Sequence, residues 1–259
     1  MINAQTLALD SLSSDPHLPL FWRLGKLNTG QPLLWPITYQ QAMVVQCTPK
    51  THDISYRFLE NILLSLWQQT QGQYIHISLY ESSLKTACVY TSQLPSSVLS
   101  VFYHKKMFKE QLDNLRLIAQ QRKTLLQATN MQTWYSYLQE YPQAEPLHIV
   151  VLTQLRPDME LLTDLSDLCR YGTQLGILPI LVVSERWFPE NSQDEWQQAL
   201  QQVLIECYRQ ALIVELKQQN YVQIKHHKLQ DIADLYAFFI PIIDKYSEVV
   251  YKSHLGQSL

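Results

Sequence analysis

Side chains capable of chemistry are scattered along this chain, and few of them stand at spacings that make a site. The densest cationic run is Lys105, Lys106, Lys109, Arg116, Arg122 and Lys123. Against Glu110 and Asp113 it leaves residues 104–123 with an excess of four positive charges. Such a run contacts phosphate or an acidic partner in one reading, with Lys105, Lys106 and Lys109 foremost, and is a solvated helix face in the other. His226 and His227 are the one adjacent histidine pair. Neighbouring residues of a strand point to opposite faces, and no Cys or carboxylate is spaced to complete a metal set, so no metal site is expected. The four cysteines, Cys47, Cys88, Cys169 and Cys207, form no CxxC pair and sit in or beside apolar stretches. Buried, reduced thiols and a cytoplasmic location are the expectation. No GxSxG nucleophile motif occurs. Trp187-Phe188-Pro189 is either an exposed aromatic anchor for a partner or a cap packed beneath the loop after a strand.

The elements that would position these groups follow from periodicity. Apolar runs at Ala42–Val45, Tyr74–Tyr80, Leu147–Leu152 and Ile177–Val183 read as strands, the last two apolar enough to be covered on both faces of a parallel sheet. Between them, Phe58–Gln69 places Leu59, Ile62, Leu63, Leu66 and Trp67 on one helical stripe. Phe108–Ala128 does the same with Leu112, Leu115, Ile118, Leu125 and Leu126. Met159–Tyr171 is an amphipathic helix that stops at Gly172. Repeated strand–helix alternation implies an α/β fold with right-handed crossovers. Further on, Gln193–Ala211 reads as a helix with Trp196, Leu200, Val203, Leu204 and Cys207 inward. Leu212–Leu216 and Tyr221–Lys225 flank a turn as a hairpin, and a last helical segment starts near Leu229 and is broken by Pro241.

Composition sets outer bounds. With 259 residues, 46% of them apolar, and 15 Tyr, 6 Trp and 7 Phe, the chain can bury a large core and is not disordered. A net charge of −3 gives no global basic field of the kind a dedicated nucleic-acid binder carries. Residues 1–19 lack the cationic start and apolar run of a signal peptide, and no apolar run is long enough to insert in a membrane. The expected organisation is one domain: a polar segment at 1–19, a core at 20–190, and a helix–hairpin–helix extension at 191–259.

Read in order, the core segments resemble the FtsK/SpoIIIE family of DNA translocase motors. Leu24-Gly25-Lys26 with Thr29-Gly30-Gln31-Pro32 resembles the family's "LGK…sGkPv" lead-in. Ala42–Val45 stands where its strand before the phosphate loop belongs, and Phe58–Leu66 resembles the helix after that loop. Leu79–Tyr90 resembles the "LIDPK" strand and turn. Leu115–Leu126 resembles the "EMerRy" helix, and Ile149–Leu155 the "vVviDEl" strand. Leu165–Val183 resembles "LarkgRAlGIhLilAT", with Gly172 and Gly176 in register. The likeness covers roughly residues 20–186 and implies a RecA-like P-loop fold with a mostly parallel central sheet. HerA-like and conjugative coupling ATPases of the same class are the nearest alternatives.

The side chains such a motor needs are missing. A phosphate loop uses glycines so that successive backbone N–H groups converge on the phosphates, a Lys for charge, and a Ser/Thr hydroxyl for Mg²⁺. Residues 46–57 contain no glycine, and Pro49 deletes one N–H. Depending on the direction of counting, Asp53 or Ser55 falls on the family's Lys; Lys50-Thr51 looks like a displaced "KT". The metal and base carboxylates fall on Thr153 and Gln154, the polar end of the next strand on Ser184, the "gRA" arginine on Thr173, and the "DPK" turn on Glu81-Ser82-Ser83. Each lost preorganised group costs about 3 kcal/mol of transition-state stabilisation, so several together extinguish turnover. The resemblance therefore implies a pseudo-ATPase that needs no cofactor and serves as an interaction subunit of a DNA-translocation, secretion, conjugation or defence assembly, beside an active FtsK/HerA-type ATPase. The alternatives are an atypical ATP/Mg²⁺ site using Lys50, Thr51 and a recruited carboxylate such as Glu81, or a DNA-binding module using the basic helix.

Overall fold

The computed structural model describes residues 20–27, 29–37, 41–81, 94–153, 158–184, 194–209, 211–218, 221–225 and 235–238. Four apolar runs form the strands at the heart of the molecule: β3 (Met43–Cys47), β4 (Ile75–Glu81), β6 (Leu147–Thr153) and β7 (Ile177–Ser184). Alternation decides which side each residue covers. Met43, Val45, Ile149, Val151, Ile180 and Val182 join one core cluster. Val44, Val150, Leu152, Leu181 and Val183 join the other. Both faces are thus buried, as the near-continuous apolarity of β6 and β7 demands.

The described residues form ten strands of one sheet, in the order β2-β1-β10-β9-β8-β3-β7-β6-β4-β5. From β8 (Leu212–Leu216) to β5 (Leu99–Phe102) all neighbours are parallel. On the far side of β8 the sheet continues as an antiparallel arm of β9 (Tyr221–Lys225), β10 (Leu235–Phe238), β1 (Phe21–Lys26) and β2 (Pro32–Pro36). β8 and β9 form the expected hairpin. Gly25, at φ 146°, sits at the irregularity that bends β1 against β2.

The helices divide between the two faces. α1 (His52–Thr70) and the short α3 (Trp134–Glu140) cover one. α4 (Met159–Asp167), α5 (Glu195–Tyr208) and the first half of α2 (Lys105–Thr129) cover the other. The second half of α2 reaches the opposite cluster through Leu126. A π-helical turn, Leu168–Gly172, and a 3-10 turn, Thr173–Leu175, lead from α4 to Gly176, which turns the chain into β7. Among the described residues no helix is long and apolar enough to cross a membrane.

Several sequence expectations need correction. Within the segment expected to be helical from Leu229, residues 235–238 are instead strand β10, pairing with β9 and β1. The β9 edge offers an unpaired row of backbone donors and acceptors, and an aromatic Leu-Tyr-Ala-Phe stretch suits it. Of the expected helix–hairpin–helix extension, the described residues form helix α5, the β8–β9 hairpin and strand β10. Helix α4 does not run to Tyr171 but gives way to the π turn. Trp196 and Leu125, expected inward, are exposed. Strands β1, β2 and β5 and helix α3 are not among the elements that periodicity marks, each being only four to seven residues long.

Candidate nucleotide site at the strand ends

In parallel α/β sheets ligands bind beyond the carboxyl ends of the strands. Here that edge carries Cys47, Ser184, Thr153 and Glu81 at the ends of β3, β7, β6 and β4, with Cys47 opposite Ser184 and Glu81 opposite Thr153. Gln154 lies outside the described residues.

After Cys47 the chain makes a tight turn, Thr48 to Thr51, and enters α1. The Thr51 N–H donates to the Thr48 carbonyl at 3.0 Å. The Thr48 N–H donates to Thr51 Oγ1 at 2.8 Å, and the Lys50 N–H to Thr48 Oγ1 at 3.2 Å. Pro49 has no N–H. Every backbone donor of the turn is therefore satisfied inside it, and no residue from 46 to 57 has a positive φ. A phosphate-binding nest needs the opposite: adjacent N–H groups left free and turned to one point by left-handed residues. Thr51 is 2% exposed, its hydroxyl turned inward on Thr48. Lys50 is exposed. Asp53 stands in the first turn of α1, its side chain 99% exposed, where its charge complements the helix dipole that a phosphate would otherwise use. Ser55 is buried and its hydroxyl donates to the His52 carbonyl at 2.6 Å.

Opposite, Thr153 is fully buried, its hydroxyl 2.9 Å from the Tyr80 carbonyl and 3.0 Å from Glu81 Oε2. Glu81 is 4% exposed, so the carboxylate considered as a recruited metal ligand is held inside the sheet edge. It is also distant. β4 and β3 are separated by β6 and β7, which places Glu81 about 14 Å along the sheet from the Thr48–Thr51 turn. Ser184 is half-buried. Thr173, on the position of the family's arginine, is buried in the 3-10 turn.

The basic run is divided by the fold. Lys105 Nζ lies 2.8 Å from Asp158 and 2.7 Å from Glu160, and Lys109 also pairs with Glu160. Those hydrogen bonds raise both lysines and hold the Glu160 carboxyl down to about 2. Arg116 bridges Asp113, Asp164 and Asp167. Lys106 is exposed. Arg122 is no surface cation at all: it is 1% exposed. Its guanidinium donates to the carbonyls of Leu175 at 2.9 Å and Pro146 at 2.7 Å, reaches Glu145 at 3.4 Å, and lies over the Trp134 ring at 4.3 Å. Burial pulls it down to about 10, with Glu145 opposing, so it stays charged at neutral pH. The signal was present in the sequence, because Arg122 lies on the same stripe as Phe108, Leu112, Leu115 and Leu126. The turn contacts of Thr48 with Thr51 and the Glu81–Thr153 pair are not visible in the sequence, although Thr side chains commonly bond nearby backbone in turns. His226, His227 and Trp187-Phe188-Pro189 lie outside the described residues; among those described, no group of three or more His, Cys, Asp or Glu could hold a metal.

No family model and no curated protein matches this sequence. Solved structures do match by fold. The chain is similar to EssC (ATPases 2 and 3) from Geobacillus thermodenitrificans, at a TM-score of 0.59 and 13% identity over 87% of this chain and 42% of that one. It is similar to EccC (ATPases 2 and 3) of Thermomonospora curvata, in complex with a signal sequence peptide, at 0.53 and 7% over 93% and 44%. It is similar to the conjugation coupling protein TcpA of pCW3, solved with ATPγS, at 0.58 and 12% over 92% and 70%. The chain thus spans less than half of the EssC and EccC chains. At these identities the likeness is one of fold: an α/β domain with a mostly parallel central sheet, shared with these ATPase structures.

Proposed function

We propose that this chain is a pseudo-ATPase: an FtsK/HerA-type motor fold that holds no nucleotide and serves as an interaction subunit in the cytoplasm. Its partner is an active ATPase of the same class, in a DNA-translocation, secretion, conjugation or defence assembly. The observation that carries the reading is the closed Thr48–Thr51 turn, whose backbone donors are all consumed internally. The distance from that turn to Glu81 supports it, since one Mg²⁺ cannot bridge about 14 Å. The fold shared with secretion and conjugation ATPases supports the setting. The engagement of Lys105, Lys109 and Arg116 by acids of α4 and α2 weighs against a stand-alone DNA-binding module.

The decisive experiment titrates the purified chain with a fluorescent ATP analogue and Mg²⁺. No saturable binding is expected through the high-micromolar range. Micromolar binding that Lys50→Ala abolishes would establish the atypical ATP site instead. A DNA mobility shift that persists at near-physiological salt would favour the DNA-binding module. Co-expression with an intact FtsK/HerA-type ATPase encoded beside this chain, followed by sizing, is expected to give a stable complex.

A further inference from the structure

Two cysteines far apart in sequence meet on the α4/α5 side of the sheet. Cys169 lies in the π turn that follows α4, and Cys207 in the last turn of α5. Both line one cavity of about 140 Å³, together with Ala42, Arg170, Glu206 and Arg209. Helix α5 packs against that π turn, so both side chains face the same space. Cys207 is buried and Cys169 half-buried, and neither is bridged. Each sits at the end of a helix, where backbone adjusts more readily than in mid-helix, and the π turn is itself an irregular, adaptable segment.

We infer that Cys169 and Cys207 form an oxidisable dithiol, a modification site that takes a small-molecule disulfide such as oxidised glutathione and closes into an intramolecular disulfide. The half-buried Cys169 reacts first. Its sulfur, as thiolate, attacks one sulfur of the oxidant, breaking that S–S bond and releasing one glutathione thiol. Cys207 then attacks the Cys169 sulfur of the mixed disulfide and releases the second glutathione. The two cysteine protons leave with the two glutathione thiols, and the two electrons reduce the oxidant. The new bond ties the end of α4 to the end of α5 and encloses β7 with its terminal Ser184. The hydrogen bond to Cys207, and then burial, push the Cys169 thiol well up, so closure is slow at neutral pH and quickens as pH rises. The site is independent of nucleotide, so its test stands apart from that of the pseudo-ATPase reading.

The full chain is incubated with excess oxidised glutathione across a pH series, quenched in acid, alkylated under denaturing conditions and mapped by mass spectrometry. Free thiols are expected to fall from four to two. The linked peptides are those of Cys169 and Cys207, and the melting midpoint rises by roughly 5–15 °C for a closed loop of this length. Cys47→Ser keeps the link, while Cys169→Ala and Cys207→Ala each abolish it, with folding checked by circular dichroism. Four free thiols persisting at alkaline pH in folded protein would overturn the inference. So would a link through Cys47 or Cys88, or glutathione remaining on Cys169 without closure. A link that lowers the midpoint would show that the two sulfurs are not poised to meet.

Discussion

Where the parallel strands begin, the buried Arg122 and His148 and the half-buried His76 form a cationic and imidazole cluster. The His76 and His148 rings are 5.6 Å apart across β4 and β6, and neither Nδ1 has a hydrogen-bond partner among the described residues. Burial, then Arg122 and His76, drive His148 down to about 3; burial also lowers His76. An unfolded histidine takes a proton near 6.5. Between those values the unfolded state binds more protons, so stability is complete above about pH 6.5 and falls as pH drops towards 3. From His148 alone the loss reaches about 2 kcal/mol by pH 5. Urea midpoints at pH 7 and pH 5 check this: the wild-type difference is expected to shrink clearly in His148→Leu. Arg122 is the other residue on which this corner turns. Arg122→Met strands carbonyls of Leu175 and Pro146 and is expected to cost about 3–5 kcal/mol by urea denaturation. Arg122→Lys recovers less than half, because one ammonium cannot reproduce the planar fork.

Between α4 and β7, the chain reverses through Gly176 at φ +75°. A Cβ there would stand 2.5 Å from Trp134 Cδ1 and 3.0 Å from Arg122 Nη1, both fixed by their own contacts. Gly176→Ala is expected to cost about 2–4 kcal/mol, combining left-handed strain with a clash that cannot relax. Gly30, at φ +82° with nothing within 4 Å of its Cβ position, is the control: Gly30→Ala carries the strain alone, about 1 kcal/mol. Thermal denaturation of the two variants side by side separates the terms. The pairing of α2 with α4 is a weaker constraint. Its lysines and Glu160 are 40–48% exposed, so solvent screens these pairs and they add little to stability. Their consequence is electrostatic: they spend the positive face of α2 on the molecule itself.

The described residues form a ten-stranded sheet with a buried cluster on each face. Ligands that bind only the folded state raise its stability by mass action, about 2.7 kcal/mol at a hundredfold excess over Kd. For a domain of this size that is roughly 5–11 °C in melting midpoint. Millimolar Mg–ATP is expected to leave the midpoint of this chain unchanged, measured by scanning fluorimetry with an active P-loop ATPase as positive control. A shift of several degrees would mean that the Thr48–Thr51 turn opens to admit phosphate.

What the sequence by itself determined is what local spacing encodes. Alternation placed β3, β4, β6 and β7 nearly to their ends, and helical stripes placed α1, α2, α4 and α5. The lack of glycine from 46 to 57 was visible without any coordinates, and no residue of that stretch adopts left-handed backbone. What only the tertiary structure decided concerns partners remote in sequence. The cations of α2 meet acids some 50 residues away in α4, and Arg122 finds carbonyls at the starts of β6 and β7. Residues 235–238 find a strand edge on which to extend, and Cys169 and Cys207 come to line one cavity. Periodicity reports which face of an element is apolar. It carries no information about which charged or polar groups the topology brings opposite that face, because those contacts are set by the order in which the strands lie in the sheet.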